Sequence, residues 1–169
     1  MVEFRVLART ALLVAAIAGL RCDAQSMPGT SGETLSGKRI VLADATRGHS
    51  AVLVAGFSHE GGNGTGAWVK AVRGDAALAG VTVYQVAMLE GAPSLIRGTI
   101  KNGMRKGVSI ADQDQFVVLT QDNKLWRQLF GVTTDKEPYV IALDAKGNVV
   151  WRGHGAADQQ EPQLRAALR

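Results

Sequence analysis

The sequence predicts an α/β domain with a central, mostly parallel sheet and helices on both of its faces. Residues 50–57 and 81–88 are apolar runs rich in β-branched side chains, which is typical of strands covered on both sides. A segment with helical spacing of apolar residues follows each run, and alternating strands and helices favour parallel pairing. Residues 139–154 form two apolar segments around a polar turn, which predicts an antiparallel hairpin at one edge.

Each predicted strand is a short run of apolar and β-branched residues bounded by polar or glycine-rich turns. The last two flank the turn Asp144–Asn148, whose composition is typical of a hairpin connection. In chain order the predicted strands are 38–43, 50–57, 81–88, 115–120, 139–143 and 149–154.

Four helices are predicted from caps and periodicity. Thr65 is placed to cap the first, and Ser94 the second, because both residue types are favoured at that position. Gly131 is placed to end the third, and Asp158 begins the fourth. The predicted spans are 67–73, 94–106, 123–130 and from 158 towards the C-terminus.

The first 24 residues have the pattern of a cleaved bacterial export signal. Arg5 and Arg9 precede an uncharged apolar run over residues 11–20, which falls short of the roughly 20 residues that span a bilayer. Cleavage after Ala24 fits the requirement for small residues. Cleavage after Ala18 is the competing possibility and would retain the chain's one cysteine.

That cysteine, Cys22, follows the apolar run after one residue, Arg21, and two alternatives stay open: a lipidated N-terminus and an uncleaved anchor helix. Residues 25–36 are rich in Gly, Ser, Thr and Pro and predict a flexible or extended lead-in. Residues 37–169 have the length of one domain that can bury a proper core. The predicted location is therefore the periplasm or beyond, with a signal peptide over 1–24.

Composition and motifs exclude several functions. The formal net charge of +4 is modest, and no basic-and-aromatic pattern predicts nucleic-acid binding. Gly61 and Gly66 have P-loop spacing, but Ala67 and Trp68 stand where Lys and Ser or Thr are required. Gly62-x-Gly64-x-x-Ala67 lacks the acidic residue of a dinucleotide site. We therefore predict no cofactor.

The histidines His49, His59 and His154 do not predict a metal site. No two of them have the i, i+4 spacing of a helical metal motif, and no cysteine accompanies them. Ser58 and His59 are neighbours in sequence and do not normally meet as a catalytic pair. The sequence context of a nucleophile elbow is absent as well.

Two features resemble the thioredoxin-like superfamily. A strand ending in Phe57 leads into a loop and a helix, and Glu137-Pro138 begins a strand and hairpin. In that superfamily the proline is usually cis and faces the active-site loop. The resemblance therefore implies a cis Pro138 that faces residues 58–68.

The back half of the chain resembles the mitochondrial ATP synthase assembly factor family and its bacterial relatives. Members of that family are thioredoxin-like without needing a Cys-x-x-Cys motif. The matching stretches are 125–127, 143–147 and 151–155, followed by an acidic helix start.

These observations predict an exported domain that lacks redox cysteines and binds a protein partner, as an assembly or chaperone-type factor. The thiolate is the nucleophile in disulfide exchange and in peroxide reduction, and none is present near Phe57. Two alternatives remain: a thiol-disulfide or peroxide oxidoreductase relative that uses Cys22, and a small-ligand or anion binder at loop 58–66. The candidate binding residues are Ser58, His59, Glu60, Gly64, Thr65 and Pro138.

A second candidate surface is a basic stripe on the helix predicted over 94–106. Arg97, Lys101 and Arg105 recur at i, i+4 and i+8 and so share one face. The pattern predicts a docking face for an acidic partner or an anionic lipid. Other membrane contact is expected only if the N-terminal segment is retained or Cys22 is lipidated.

Overall fold

The computed structural model describes residues 27–169, so the predicted export signal and Cys22 lie outside the described residues. Seven strands form one sheet in the order β2-β1-β5-β4-β3-β6-β7. The strands are β1 Ser31–Thr34, β2 Arg39–Val41, β3 Ala51–Gly56, β4 Thr82–Met88, β5 Phe116–Leu119, β6 Tyr139–Leu143 and β7 Val149–His154.

Within residues 27–169, six α-helices and two 3-10 turns accompany these strands. The helices are α1 Leu42–Ala45, α2 His59–Asn63, α3 Thr65–Gly74, α4 Ser94–Gly107, α5 Asn123–Phe130 and α6 Ala157–Ala167.

The sheet is parallel only at its centre. Strand β4 pairs in parallel with β3 and with β5. The flanks are antiparallel, because β6 returns beside β3, β7 folds back on β6, and β1 runs against β5. The C-terminal hairpin is therefore confirmed, whereas the parallel part is smaller than the sequence predicts.

Helices cover both faces of the sheet, as predicted. One face packs on α1 and α5, and Trp126, Leu129 and Phe130 of α5 are buried there against β3, β4 and β6. The other face packs on α3 and α6, through Trp68, Val72 and Leu164. Helix α4 lies on this second face, over β1 and β5, and contacts it through Met104.

The lead-in predicted as flexible or extended over 25–36 contains an extended strand in the structure. Residues Ser31–Thr34 form β1, which pairs with β2 on one side and with β5 on the other. Leu35 is fully buried beside Phe116 and Val118. The sheet thus begins before residue 37. Backbone pairing with β2 and β5 stabilises β1 although it contains no large apolar side chain.

The structure also differs from three local predictions. The segment predicted as a strand over 38–43 ends at Val41 and continues as α1, where Thr46 Oγ1 donates to the carbonyl of Leu42 at 2.8 Å. Thr65 and Ser94 cap neither helix; both are the first helical residues instead. Gly131 does end α5, in the left-handed conformation with φ 71°.

Candidate functional site

The carboxyl end of β3 meets the segment before β6 at one edge of the sheet. Ser58 caps α2, since its Oγ accepts a hydrogen bond from the Gly61 amide at 3.1 Å. The same hydroxyl donates to the Asp135 carbonyl at 2.5 Å. Ser58 thereby joins the start of α2 to the segment that leads into Pro138, and its hydroxyl is engaged on both sides.

Glycines let this junction close tightly. A Cβ at Gly61 would lie 2.7 Å from the Asp135 carbonyl oxygen and 2.8 Å from that of Glu137. A Cβ at Gly64 would lie 2.8 Å from Cγ of Pro138. Contacts this short do not occur for real side chains, so only glycine fits at both positions. We call Ser58, Gly61 and Gly64, with the backbone that they contact, the sealed side of Pro138.

Pro138 itself is buried, but its peptide bond is trans, because residues 27–169 contain no cis peptide bond. The expectation of a cis Pro138 is therefore wrong. Its carbonyl accepts a hydrogen bond from the Gly155 amide at 3.0 Å, which continues the β6–β7 pairing past the end of the strands. The other half of the resemblance is correct, since Pro138 does face the start of α3 at Gly64.

An aromatic cluster supports the junction from the opposite face of the sheet. The ring of Phe57 makes edge-to-face contacts with the rings of Phe130 and Tyr139. The centroid distances are 5.6 Å to Phe130 and 6.0 Å to Tyr139. The Tyr139 hydroxyl accepts the backbone amides of Thr133 and Thr134, each at 3.0 Å. Burial alone would raise the pKa of Tyr139, but the hydrogen bonds from these two threonines outweigh it and lower that pKa below its ordinary value.

On the other side of Pro138 a groove opens between α3 and the start of α6. Its volume is about 780 Å³, within the range of ligand sites. Small residues form its walls, and Trp68 holds its far side in place because the indole Nε1 donates to the Gly155 carbonyl at 2.7 Å. We call it the Pro138 groove; it is lined by Gly64, Ala67, Ala71, Glu137, Pro138, Gly155, Ala156, Ala157, Asp158 and Glu161.

The charged residues that line the Pro138 groove are all acidic: Glu137, Asp158 and Glu161. Glu137 Oε2 lies 2.7 Å from Nδ1 of the exposed His154. Glu161 is paired with Arg165 at 2.6 Å, along the outer turn of α6. Asp158 stands exposed at the first turn of the same helix. The groove thus combines an apolar floor with a negative rim on a chain that is basic overall.

The sequence-predicted loop residues separate into three environments. Ser58, Gly64 and Pro138 meet at the sealed side. His59 and Glu60 are exposed on α2. Thr65 is buried and points inward: its hydroxyl donates to the Gly62 carbonyl and accepts from the Gln85 amide, both at 2.6 Å. A ligand at the sheet edge therefore cannot reach Thr65 without rearrangement.

Sequence reasoning missed the acidic rim beside Pro138 and the contact of His154 with Glu137. Glu137 is the neighbour of Pro138 in sequence and could have been noticed, but Asp158 and Glu161 come from a helix about 20 residues later. Only the fold brings them to one groove.

The basic stripe of α4 is engaged within the molecule. Arg97 donates to the carbonyls of Ala92 and Glu90 at 2.8 and 2.9 Å. Lys101 pairs with Glu33 at 2.8 Å, and Arg105 donates to the Leu35 carbonyl at 2.7 Å. These side chains bind α4 to β1 and to its own N-terminal loop.

Residues 27–169 contain neither a cluster of metal ligands nor a membrane-spanning helix. No group of three or more His, Cys, Asp and Glu side chains there could hold a metal ion. No helix of that part is long and apolar enough to cross a membrane.

Solved structures resemble this chain over most of its length. An exposed lipoprotein thioredoxin, Etrx1 of Streptococcus pneumoniae, is 20% identical, with a TM-score of 0.52 over 80% of this chain and 97% of that one. A thiol:disulfide interchange protein of the thioredoxin family from Chlorobium tepidum is 21% identical, with a TM-score of 0.54 over 85% and 96%. The chain has a thioredoxin-like fold.

A third similar structure is BsSco, a member of the Sco family of cytochrome c oxidase assembly proteins, at 10% identity and a TM-score of 0.55 over 84% of this chain and 92% of that one. No family model matches the chain, and no curated protein matches it. The similarity therefore establishes the fold alone, and the resemblance to the ATP synthase assembly factor family stays a prediction.

Proposed function

We propose that this protein is an exported thioredoxin-like binding module, which holds a segment of a partner polypeptide in the Pro138 groove without thiol chemistry. The proposal rests on the contrast between the two sides of Pro138. Glycine-to-backbone contacts close the side where the fold's reactive residues would lie, while the groove beside it is open and negatively charged.

The groove suits a polypeptide better than a small anion. Three carboxylates would repel an anion, and Arg165, which contacts the rim residue Glu161, is also paired with Asp75. An apolar floor of alanine, glycine and proline accommodates a peptide backbone closely. The rim would then select a Lys or Arg side chain, since opposite charges across an interface determine register and specificity.

Redox catalysis is the weaker candidate. The chain's one cysteine is Cys22, in the predicted signal peptide, and residues 27–169 contain none. Disulfide exchange needs a thiolate at the reacting centre. The hydroxyl in the corresponding region, that of Ser58, is held between the Gly61 amide and the Asp135 carbonyl. A role in assembling a protein complex agrees with the predicted resemblance and with the description of BsSco as an assembly protein.

Nuclear magnetic resonance of the exported, isotope-labelled protein tests the proposal. Two capped octapeptides of alanine and glycine serve as probes, one with two lysines and one with two glutamates. The lysine peptide should shift the amides of Ala67, Gly155 and Ala157, and the glutamate peptide should not. No shift with either peptide, or equal shifts with both, would contradict it.

Charge variants make the test specific. Asp158→Asn should weaken the lysine-peptide response severalfold, because it removes an exposed carboxylate of the rim. Asp44→Asn is the matched control, since Asp44 is an exposed carboxylate on α1 that lines no part of the groove. Equal losses in the two variants would show that the response follows overall charge and not the groove.

A further inference from the structure

Helix α4 holds to the sheet mainly through polar contacts. None of its 14 residues is buried, whereas α3, over the same face of the sheet, buries Trp68 and Val72. Met104 is its contact with the apolar cluster of β1 and β5. The rest of its attachment is the set of hydrogen bonds from Arg97, Lys101 and Arg105 described above. The predicted basic stripe therefore belongs to the inward half of the helix.

The outward half of α4 is unlike an ordinary solvated face. Leu95 is 94% exposed and Ile96 is 48% exposed, in the first turn. At 100° per residue, Leu95, Thr99, Asn102 and Lys106 lie on one line along the helix. Each of these four is exposed. A further apolar side chain, Ile110, is 87% exposed just past the end of the helix.

The charge of α4 is entirely positive. It contains two lysines and two arginines and no acidic residue. Lys101 meets a carboxylate, that of Glu33, while Arg97 and Arg105 bond to neutral carbonyls. Within the part of the chain that the structure describes, Lys106 makes no ion pair. On the outward face, the exposed apolar side chains of the first turn and Lys106 are complementary to a negatively charged, partly apolar surface. The charges of Arg97 and Arg105 add to the positive potential, because no carboxylate within residues 27–169 pairs with them.

We infer that the outward face of α4, from Leu95 to Lys106, lies on the surface of an anionic phospholipid membrane. Two large apolar side chains are too few for the core of a stable protein interface, which needs about 800 Å² on each partner. They are sufficient for reversible insertion among headgroups, where cations add attraction without needing a matched register.

Hydrogen bonds link the start of α4 to the first residues that the structure describes. Thr30, near the first described residue, donates to the Asp122 carboxylate at 2.5 Å. Next to it the Asn123 amide donates to the Glu90 carboxylate at 2.5 Å, and Arg97 donates to the Glu90 carbonyl. This series of bonds links the start of α4 to the edge where residues 1–26 join the domain. A retained or lipidated N-terminus would hold this edge near the bilayer and raise the effective concentration of lipid at α4.

Hydrogen exchange of the full exported chain tests the inference, read on the peptide that covers residues 94–107. Vesicles of phosphatidylcholine with 30% phosphatidylglycerol should slow exchange in α4, and pure phosphatidylcholine vesicles should not. High salt should remove the protection, since exposed charges are screened. Because the readout is local, an N-terminus that itself inserts into both kinds of vesicle does not obscure the result.

Variants locate the contact. Lys106→Gln should weaken the α4 response about fivefold, the effect of one cation at an anionic surface, and Leu95→Gln should weaken it at least as much. Lys146→Gln in the hairpin turn and Val150→Gln on β7 are the matched controls and should leave it unchanged. Melting temperatures of all four variants would show whether the fold is preserved.

Four results would overturn the inference. One is the absence of α4 protection by anionic vesicles, and another is equal protection by vesicles without phosphatidylglycerol. The third is protection by poly-glutamate but not by vesicles, which would assign this face to an acidic protein. Equal losses in the α4 variants and their controls would also contradict it.

Discussion

The two sides of Pro138 differ in how closely the chain approaches itself. On the sealed side, Gly61 and Gly64 lie so near to the backbone before β6 and to the proline ring that no Cβ fits. On the groove side, alanines of α3 and α6 stand apart and leave about 780 Å³ open. Small residues line both sides. On the sealed side they allow close contact, whereas on the groove side they leave open space.

Under the proposed function, this difference separates a closely packed junction from the surface that binds a partner. At the start of α2, the Ser58 hydroxyl is hydrogen-bonded to both Asp135 and Gly61. The proposed binding surface is on the neighbouring side, where Glu137, Asp158 and Glu161 surround an apolar floor. Adding or removing atoms on one side at a time tests this contrast.

The largest expected effect comes from adding a methyl group on the sealed side. Gly61→Ala should lower the free energy of unfolding by about 1–3 kcal/mol, because overpacking forces the backbone at Asp135 and Glu137 to move. Gly62→Ala is the control: nothing lies within 4 Å of its Cβ, and alanine favours helix. Urea unfolding measures both. A Gly61 variant as stable as the Gly62 variant would mean that the junction is not closely packed.

An intermediate effect is expected from removing the cap of α2. Ser58→Ala deletes the acceptor for the Gly61 amide and the donor to Asp135, and should cost about 1 kcal/mol of stability. Ser94→Ala makes the same change at the start of α4, where the serine makes no capping bond, and should cost far less. Chemical denaturation of the two variants compares them directly. Equal losses would remove the special role given to Ser58.

The smallest effect on stability is expected on the open side. Ala71→Leu projects three more carbon atoms towards the groove from a helical position that suits leucine, so stability should change by no more than about 0.5 kcal/mol. The same change should abolish the response to the lysine peptide by filling the groove. Lost stability would show that the groove is tighter than described, and retained binding would show that the peptide lies elsewhere.

The central strands and the hairpin could be predicted from sequence, because apolar runs such as 50–57 and 139–143 are covered on both faces. Strand β1 could not: Ser31–Thr34 has no apolar residue, and its conformation comes from pairing with β2 and β5. Helix α2 was missed for a related reason. Its glycines disfavour a helix locally, and the tertiary contacts of Gly61 override that preference.

The candidate site was only partly predictable. Pro138 and the loop after Phe57 could be paired by resemblance, but the cis bond expected from it is absent between residues 27 and 169. The acidic rim comes from positions between 137 and 161 that carry no shared local pattern. Helical spacing correctly grouped Arg97, Lys101 and Arg105 on one face of α4. Spacing alone could not say that this face turns towards β1, because that depends on where Glu33 and Leu35 lie.

Site-specific photocrosslinking in an exporting bacterium tests the comparison most directly. The photoreactive residue p-benzoylphenylalanine is placed at Ala157, in the groove, or at Asn63, exposed on α2 across Pro138. The account predicts polypeptide adducts from Ala157 that disappear with Asp158→Lys, and none from Asn63. Adducts from Asn63 with none from Ala157 would contradict it, because partners would then approach the side that we describe as sealed.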